Sequence, residues 1–424
     1  MPGPEQTQII PTEFFEEGFD PQSMRPRKPT AAPRWVSVVG ARPQFVKLSP
    51  FCRAITEHNR QNPASPIDHQ ILHTGQHYDR DLAGVFFDQM EIPTPNFNLG
   101  VGSGSAGTQL ARMLARMESI LAAIQPDWVI IYGDTNSTLA GALLAARLNI
   151  PLAHVEAGCR SGEICQPEEQ NRIVADQLSR ILFSASEHDA QNLCREGIAT
   201  PNDPFQRRTA LVGDILFDAL LQNSLIAEQS GEEHLRSLSI RSKDYYLLTI
   251  HRAENTDDSG RLHSICKAAS SLDLPVLFPV HPRTKKILQR EGISLNGNII
   301  TIEPQGYLEM ITVEKHARMI LTDSGGLQKE AFYLQVPCIT LREQTEWTET
   351  VNLGANQLVG ASYDKILSAV QDPPVPNWHS HQPYGDGTAA KKIVAELAAI
   401  PRRIIIPQNF LPSELPNAMA KAAS

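Results

Sequence analysis

Residues 317–334 read ARMILTDSGGLQKEAFYL. An apolar run ends at Leu321, Thr322 and Asp323 follow, then Ser324-Gly325-Gly326, then the helix-like segment LQKEAFYL. A short apolar run, a glycine-bearing turn and a helical pattern in that order read as a strand-turn-helix unit. Two glycines and a serine at the handover serve either a tight turn or an anion cradle. A helix start presents free N–H groups and the positive end of its dipole.

The same unit recurs on both sides of this stretch. WVSVVG (35–40), HQILHTG (69–75), DWVIIYGD (127–134), PLAHVEAG (151–158) and ILFSAS (181–186) are short apolar runs, separated by helical patterns such as GTQLARMLARMESILAAI and STLAGALLAARLN. A polar, proline-bearing pause follows at EGIATPNDPFQRR (196–208). The alternation then resumes with TALVGD, YYLLTIH, PVLFPVHP, NIITIEP, RMILTDS and VPCITLR. Strands alternating with helices predict a parallel α/β sheet, here twice. The boundaries expected are a flexible extension at 1–33, a first Rossmann-like domain at 34–205 and a second at 206–382. A helix at 383–400 and a loose tail at 401–424 follow.

The bulk composition agrees with two domains of ordinary size, since the chain has 424 residues. Hydrophobic residues make up 41% and charged residues 20%, the balance of a soluble globular protein. The formal net charge of −9 argues against broad nucleic-acid or anionic-membrane binding, although a local basic site still suits a phosphate. No apolar run is long enough to span a bilayer, and the first twenty residues lack the basic and apolar regions of a secretory signal. Six scattered cysteines without a C-x-x-C pair read as free thiols in a reducing, cytoplasmic setting, and no metal site is expected.

In open α/β sheets ligands bind beyond the carboxyl ends of the strands. Chemistry-bearing residues crowd those ends: Gly40-Ala41-Arg42, Thr74-Gly75-Gln76-His77, Gly133-Asp134-Thr135, Glu156, His251-Arg252, His281, Gln305 and Asp323-Ser324. Two facing domains would bring them to one cleft. In GARPQFVK, Arg42 and Lys47 supply two cations suited to a diphosphate. Asp134 reads either as the N-cap of the next helix or as a cleft carboxylate. Glu168 and Arg172 are spaced as an i,i+4 pair at a helix start opened by Pro167. Clustered carboxylates raise one another's pKa, which fits them to proton transfer near neutrality. His251 at a strand end suits phosphate contact or proton transfer, while HPRTKK (281–286) reads equally as a solvated helix start. GSGSAG (102–107) fits a dinucleotide fingerprint by letter alone. It follows a proline-bearing segment rather than a strand, so it reads as a loop and no redox cofactor is expected.

Taken in order, GARPQFVK, HTGQHYD, YGDTNSTLAG, EAG-R-G…PEEQNR, VGDILFDAL, HRAEN, PVHPRT, DSGGLQKEA and PYGDG resemble the non-hydrolysing UDP-N-acetylglucosamine 2-epimerases from about Trp35 to about Leu397. The resemblance implies two Rossmann-like domains facing a central cleft, in the glycosyltransferase-B arrangement, with the last helix crossing back to the first domain. It also implies a cytoplasmic homodimer acting in polysaccharide biosynthesis, with a UDP-sugar as substrate. Carried over to this chain, Asp134, Glu156 and Glu168 would be catalytic acids and His251 would sit by the diphosphate. Arg42 and Lys47 would contact substrate, and Arg172 would support Glu168. Gln305 would line the nucleotide pocket, Ser324-Gly325-Gly326 would hold the diphosphate and Glu330 would bind the ribose. Gln76 and His77 would mark a regulatory turn. Trp347 stands where a common family form has arginine, which resembles a branch that includes epimerases of UDP-2,3-diacetamido-2,3-dideoxyglucuronate.

The expected reaction interconverts UDP-N-acetylglucosamine and UDP-N-acetylmannosamine. The C2 hydrogen is not beside a carbonyl, so a base alone removes it too slowly. Coupling its loss to departure of UDP gives a 2-acetamidoglucal, re-protonated on the other face, and needs a base, an acid and a stabilised diphosphate. The alternatives are a 2-epimerase of the diacetamido uronate, a glycosyltransferase of the same architecture, and an inactive UDP-sugar sensor.

Overall fold

The strand-turn-helix units close into two sheets. A computed structural model describes residues 32–76, 87, 90–295, 297–373, 375, 376, 378 and 382–400. Among these residues one seven-stranded sheet comprises β1 (Arg34–Val39), β2 (Asp68–His73), β3 (Phe97–Asn98), β4 (Trp128–Tyr132), β5 (Leu152–Val155), β6 (Ile181–Ser184) and β7 (Arg208–Leu211). Its order is β3-β2-β1-β4-β5-β6-β7, every pairing parallel. The second, six-stranded sheet comprises β8 (Tyr246–Thr249), β9 (Val276–Pro279), β10 (Ile299–Ile302), β11 (Met319–Thr322), β12 (Cys338–Thr340) and β13 (Asn356–Leu358). Its order is β10-β9-β8-β11-β12-β13, again all parallel.

Helices cover both faces of each sheet, so the inner strands are buried on both sides and read as unbroken apolar runs. Val36, Val38, Ile130 and Ile131 in the first sheet and Leu247, Leu248, Ile320 and Leu321 in the second are wholly buried. In each sheet the strand order reverses once, between β1 and β4 and between β8 and β11. Those are the points where a crevice opens for a ligand.

One boundary moves. TALVGD, expected to open the second domain after residue 205, instead places β7 on the edge of the first sheet beside β6, with Phe183 opposite Ala210. The polar pause is a surface loop that ends where β7 begins, at Arg208. The chain leaves the first sheet after β7, through Val212-Gly213-Asp214, into the helix Ile215–Ser237. That helix packs on Arg42–Gln61 of the first domain and on Tyr307–Lys315 of the second.

The chain returns beside its first crossing. Gly213 has φ 92°, and a Cβ there would lie 2.8 Å from Tyr384 O; Gly385, at φ 86°, faces Gly213 with equally little room. Both positions therefore need glycine. Asp218 accepts hydrogen bonds from the Ala389 and Ala390 N–H groups (3.0 and 2.8 Å), capping the final helix Ala389–Ala399, which packs on Arg42–Gln61.

Candidate active site

The wall from the first domain is assembled at the ends of β1, β4 and β5. Gln44 accepts from the Gly40 and Ala41 N–H groups (2.8 and 3.1 Å) and donates to Tyr132 O (3.0 Å), tying the end of β1 to the end of β4. A Cβ on Gly40 would fall 1.9 Å from Thr74 Oγ1 and 2.2 Å from Ser137 Oγ, so the turn closes with no room for a side chain. Gln76, expected at a regulatory turn, accepts from the Ser137 N–H (3.1 Å) and hydroxyl (2.7 Å) and so steadies the start of the helix Asn136–Arg147. His77 lies outside the described residues.

Asp134 is not the N-cap. Thr135 takes that place, accepting from the Thr138 N–H, and leaves the Asp134 carboxylate to Arg172 at 2.5 Å. The same residue's backbone carbonyl accepts from Asn171 Nδ2 (2.8 Å). Arg172 does not pair with Glu168, as its spacing suggested. Its other nitrogen binds Glu169 at 3.0 Å, and Glu169 also accepts the Ser161 and Gly162 N–H groups, each at 3.0 Å. The i,i+3 position shares the arginine's strip of the helix, and two loop amides hold the carboxylate there. Glu168 stays exposed at the helix start.

Glu156 follows β5 with φ 73°, a left-handed backbone that a residue bearing a side chain adopts at a cost. One carboxylate oxygen meets Lys47 and the other meets Lys329 Nζ at 2.7 Å. Burial would raise its pKa, but the two ammonium groups outweigh burial and hold Glu156 well below the usual carboxylate range. Lys329 also lies 2.7 Å from Asp214, which accepts in addition from the Tyr333 hydroxyl at 2.5 Å and from the Leu216 N–H at 2.9 Å.

The facing wall is built at the ends of β8 and β11. Asp323, fully buried, accepts from the His251 N–H (3.1 Å), the Arg252 N–H (3.1 Å) and Asn255 Nδ2 (3.1 Å), and its carboxylate lies 3.2 Å from His251 Nδ1. The HRAEN turn is thus folded around the aspartate that precedes Ser324. Ser324 caps the helix Gly325–Tyr333, whose first N–H groups belong to the two glycines. Neither glycine has a positive φ, and a Cβ on Gly325 would meet nothing closer than Trp347 Nε1 at 3.5 Å and Arg252 Nη2 at 3.6 Å. The turn itself therefore does not demand glycine, whereas close approach of a ligand to the backbone does.

Glu330, a turn further along, is pushed up to about 7 by burial, against the pull of Arg42 and Lys329. Arg42 of the first domain interacts in turn with Glu330, Tyr307 and Glu314 of the second. Gln305 is held in its own loop by a bond to Glu303 O (2.7 Å). His281 caps the helix Pro282–Arg290, and Arg283 and Lys285 pair with Asp257 and Glu303, so HPRTKK is a solvated helix start.

The structure thus gathers Arg42, Lys47, Asp134, Glu156 and Arg172 on one wall. His251, Ser324, Gly325, Gly326 and Glu330 line the other. Reading the sequence missed Asp323 as organiser and missed Lys329, Asp214 and Tyr333. One signal was available for Lys329: it shares a helix strip with Phe332 and Tyr333, three and four residues on, and a lysine on an aromatic strip implies an acid nearby. Among the described residues no cluster of histidine, cysteine, aspartate or glutamate is suited to a metal ion, and no helix is long and apolar enough to cross a membrane.

Comparison with known proteins agrees with this geometry. The family model described as UDP-N-acetylglucosamine 2-epimerase matches residues 59–398. A UDP-N-acetylglucosamine 2-epimerase homolog of Methanococcus maripaludis is 46% identical over 367 residues, covering 85% of this chain and 98% of its own. The UDP-2,3-diacetamido-2,3-dideoxy-D-glucuronate 2-epimerase of Pseudomonas aeruginosa is 42% identical over 380 residues, covering 86% of this chain and 99% of its own. The crystal structure of Methanocaldococcus jannaschii UDP-GlcNAc 2-epimerase in complex with UDP-GlcNAc and UDP superposes with a TM-score of 0.76 at 42% identity, over 86% of this chain and 99% of that one. The likeness places the two Rossmann-like domains in the glycosyltransferase-B arrangement.

Proposed function

The chain belongs to the UDP-N-acetylglucosamine 2-epimerase family, a family of isomerases, and we propose that it interconverts UDP-N-acetylglucosamine and UDP-N-acetylmannosamine by elimination and re-addition of UDP. The observation that carries this reading is the pairing of walls. Carboxylates at the ends of β4 and β5 face a helix start stripped of side chains at the ends of β8 and β11.

The diphosphate binds at Ser324-Gly325-Gly326, where the helix dipole and free N–H groups favour negative charge. Arg42 and Lys47 add charge around it, His251 stands beside it, Gln305 lines the nucleotide pocket and Glu330 accepts from the ribose hydroxyls. A carboxylate removes the C2 proton while the C1–O bond breaks. The C–H electron pair becomes the C1=C2 bond, and the C1–O pair leaves on UDP. Protonation of C2 on the opposite face and return of UDP to C1 complete the exchange. Asp134 and Glu168 carry the proton work. Asp134 suits the transfers because its side chain is 30% exposed and pairs with Arg172. Glu156, held ionised between two ammonium groups, serves as fixed negative charge beside the reacting carbons.

A second reading has specific support. Trp347 in place of an arginine and the P. aeruginosa relative favour UDP-2,3-diacetamido-2,3-dideoxyglucuronate as substrate. A cytoplasmic homodimer completes the proposal, and six free cysteines support the reducing compartment. The test is incubation of the purified protein with each UDP-sugar in deuterium oxide, followed by NMR. Deuterium at C2 of both epimers is expected; an unlabelled epimer, or turnover that needs added NAD, would sink the mechanism.

A further inference from the structure

Lys329 is 1% exposed, and a lysine is almost never so deeply buried unless it is paired. Its ammonium lies 2.7 Å from Glu156 Oε1 and 2.7 Å from Asp214 Oδ2. The Trp347 ring closes a third side, with its centroid 3.9 Å from Nζ. These partners come from three places: Glu156 from the end of β5, Asp214 from the crossing between domains, Trp347 from the second domain. An ammonium has three N–H donors, and here each side of it is occupied. Burial alone would strip the charge from Lys329, but Asp214 and Glu156 outweigh burial and keep it protonated.

We propose that Lys329 is a positioning residue for epimerisation, one that fixes the Glu156 carboxylate and links its placement to the helix that receives the diphosphate. The proposal rests on the reaction given above. Lys329 sits about one turn into the helix Gly325–Tyr333, whose first residues form the diphosphate turn. From that turn to Glu156 the path is a single helical turn and one side chain. Glu156 is held from both domains at once, one oxygen by Lys47 and the other by Lys329. Its carboxylate is therefore placed for chemistry when the two walls are together. The left-handed backbone at Glu156 persists because this bracing over-determines it.

Lys329 does not itself reach the ligand, since its three sides are taken by protein. Trp347 belongs to the same device. An arginine at 347 would set a second cation against Lys329, whereas the indole offers a ring face to the ammonium. Lys329 and Trp347 are a matched pair.

The test compares wild type, Lys329→Met, Lys329→Gln and Lys329→Arg. Calorimetry with UDP reads binding, and deuterium incorporation at C2 reads chemistry. Lys329→Met is expected to keep UDP affinity within about threefold while kcat falls by roughly 100-fold or more. The pH at which activity is lost on acidification should rise by about one unit or more, because Glu156 has lost one of two neighbouring cations. Lys329→Gln, which keeps a donor without the charge, should shift the limb the same way if the methionine variant fails to fold. Lys329→Arg should hold the limb near its wild-type position. An unchanged kcat and pH profile in the neutral variants would overturn the proposal. So would a loss of UDP affinity equal to the loss of kcat, which would make Lys329 a nucleotide ligand. A wild type silent toward every UDP-sugar rejects the reaction itself, and that result is visible before any variant is made.

Discussion

Nothing in the backbone at Gly325 and Gly326 requires glycine. Their backbone is ordinary helix, and the protein leaves room for a methyl group at Gly325. Gly325→Ala should therefore leave the fold intact, or stabilise it by up to about 1 kcal/mol through the unfolded chain. The same change should weaken UDP binding at least about tenfold, by holding the diphosphate off the N–H groups. Thermal unfolding and calorimetry separate the two effects, and a variant that loses stability while keeping UDP affinity would return the glycines to a turn role. At this scale the sequence is partly legible. The strand-end positions of Asp134, Glu156 and His251 follow from local pattern. The partner of Arg172 does not, because Glu168 and Glu169 are equally plausible by spacing and the loop amides of Ser161 and Gly162 decide between them.

The element that places Asp134 is the turn at Gly133, and its support comes from two strands and a helix. His154, on β5 and fully buried, sets Nε2 2.8 Å from Gly133 O and Nδ1 2.6 Å from Asp176 Oδ1. The ring is thereby clamped between the turn and the helix Pro167–Leu178. Asp176, on the helix Pro167–Leu178, also accepts from the Gly158 N–H (3.1 Å) and pairs with Arg160 at 2.8 Å. Burial would raise the Asp176 pKa, but the His154 and Arg160 charges outweigh it and hold it low. A depressed carboxylate adds stability that is complete above the unfolded pKa, near 4, and is lost as pH falls toward the folded value. Asp176→Asn takes the anion from Arg160 and the carboxylate from the His154 ring, which should cost about 3–5 kcal/mol. Urea unfolding at neutral pH measures that loss, and the acid side of the stability curve should flatten in the variant. A loss under about 1 kcal/mol would mean that the cluster does not hold the turn.

At the scale of the whole molecule, the cleft is where ionisation in one domain answers to charge in the other. Burial raises Glu330, while Arg42 of the first domain and its helix neighbour Lys329 oppose it. In the ligand-free protein a raised carboxyl adds stability that is complete below about pH 4.3 and is lost as pH rises through its folded value, about 7. Ribose hydroxyls donate best to the ionised form, so UDP affinity should fall as pH drops below about 7, and Glu330→Gln should flatten that dependence. Calorimetry with UDP from acid to mildly alkaline pH reads both, and a flat wild-type profile would remove Glu330 from the nucleotide pocket. Taken alone, the sequence determined the alternation of buried strands and helices, the two sheets, and the strand ends where polar residues gather. Those features arise from hydrophobic period and turn chemistry, which act over a few residues. The tertiary structure decided that TALVGD closes the first sheet, that Arg172 serves Asp134 and Glu169, and that Lys329 joins Glu156 to Asp214. These pairings span from 3 to 173 residues of chain. Local pattern carries no record of which buried charge meets which, because that match is made when the layers pack and each desolvated group must find its partner.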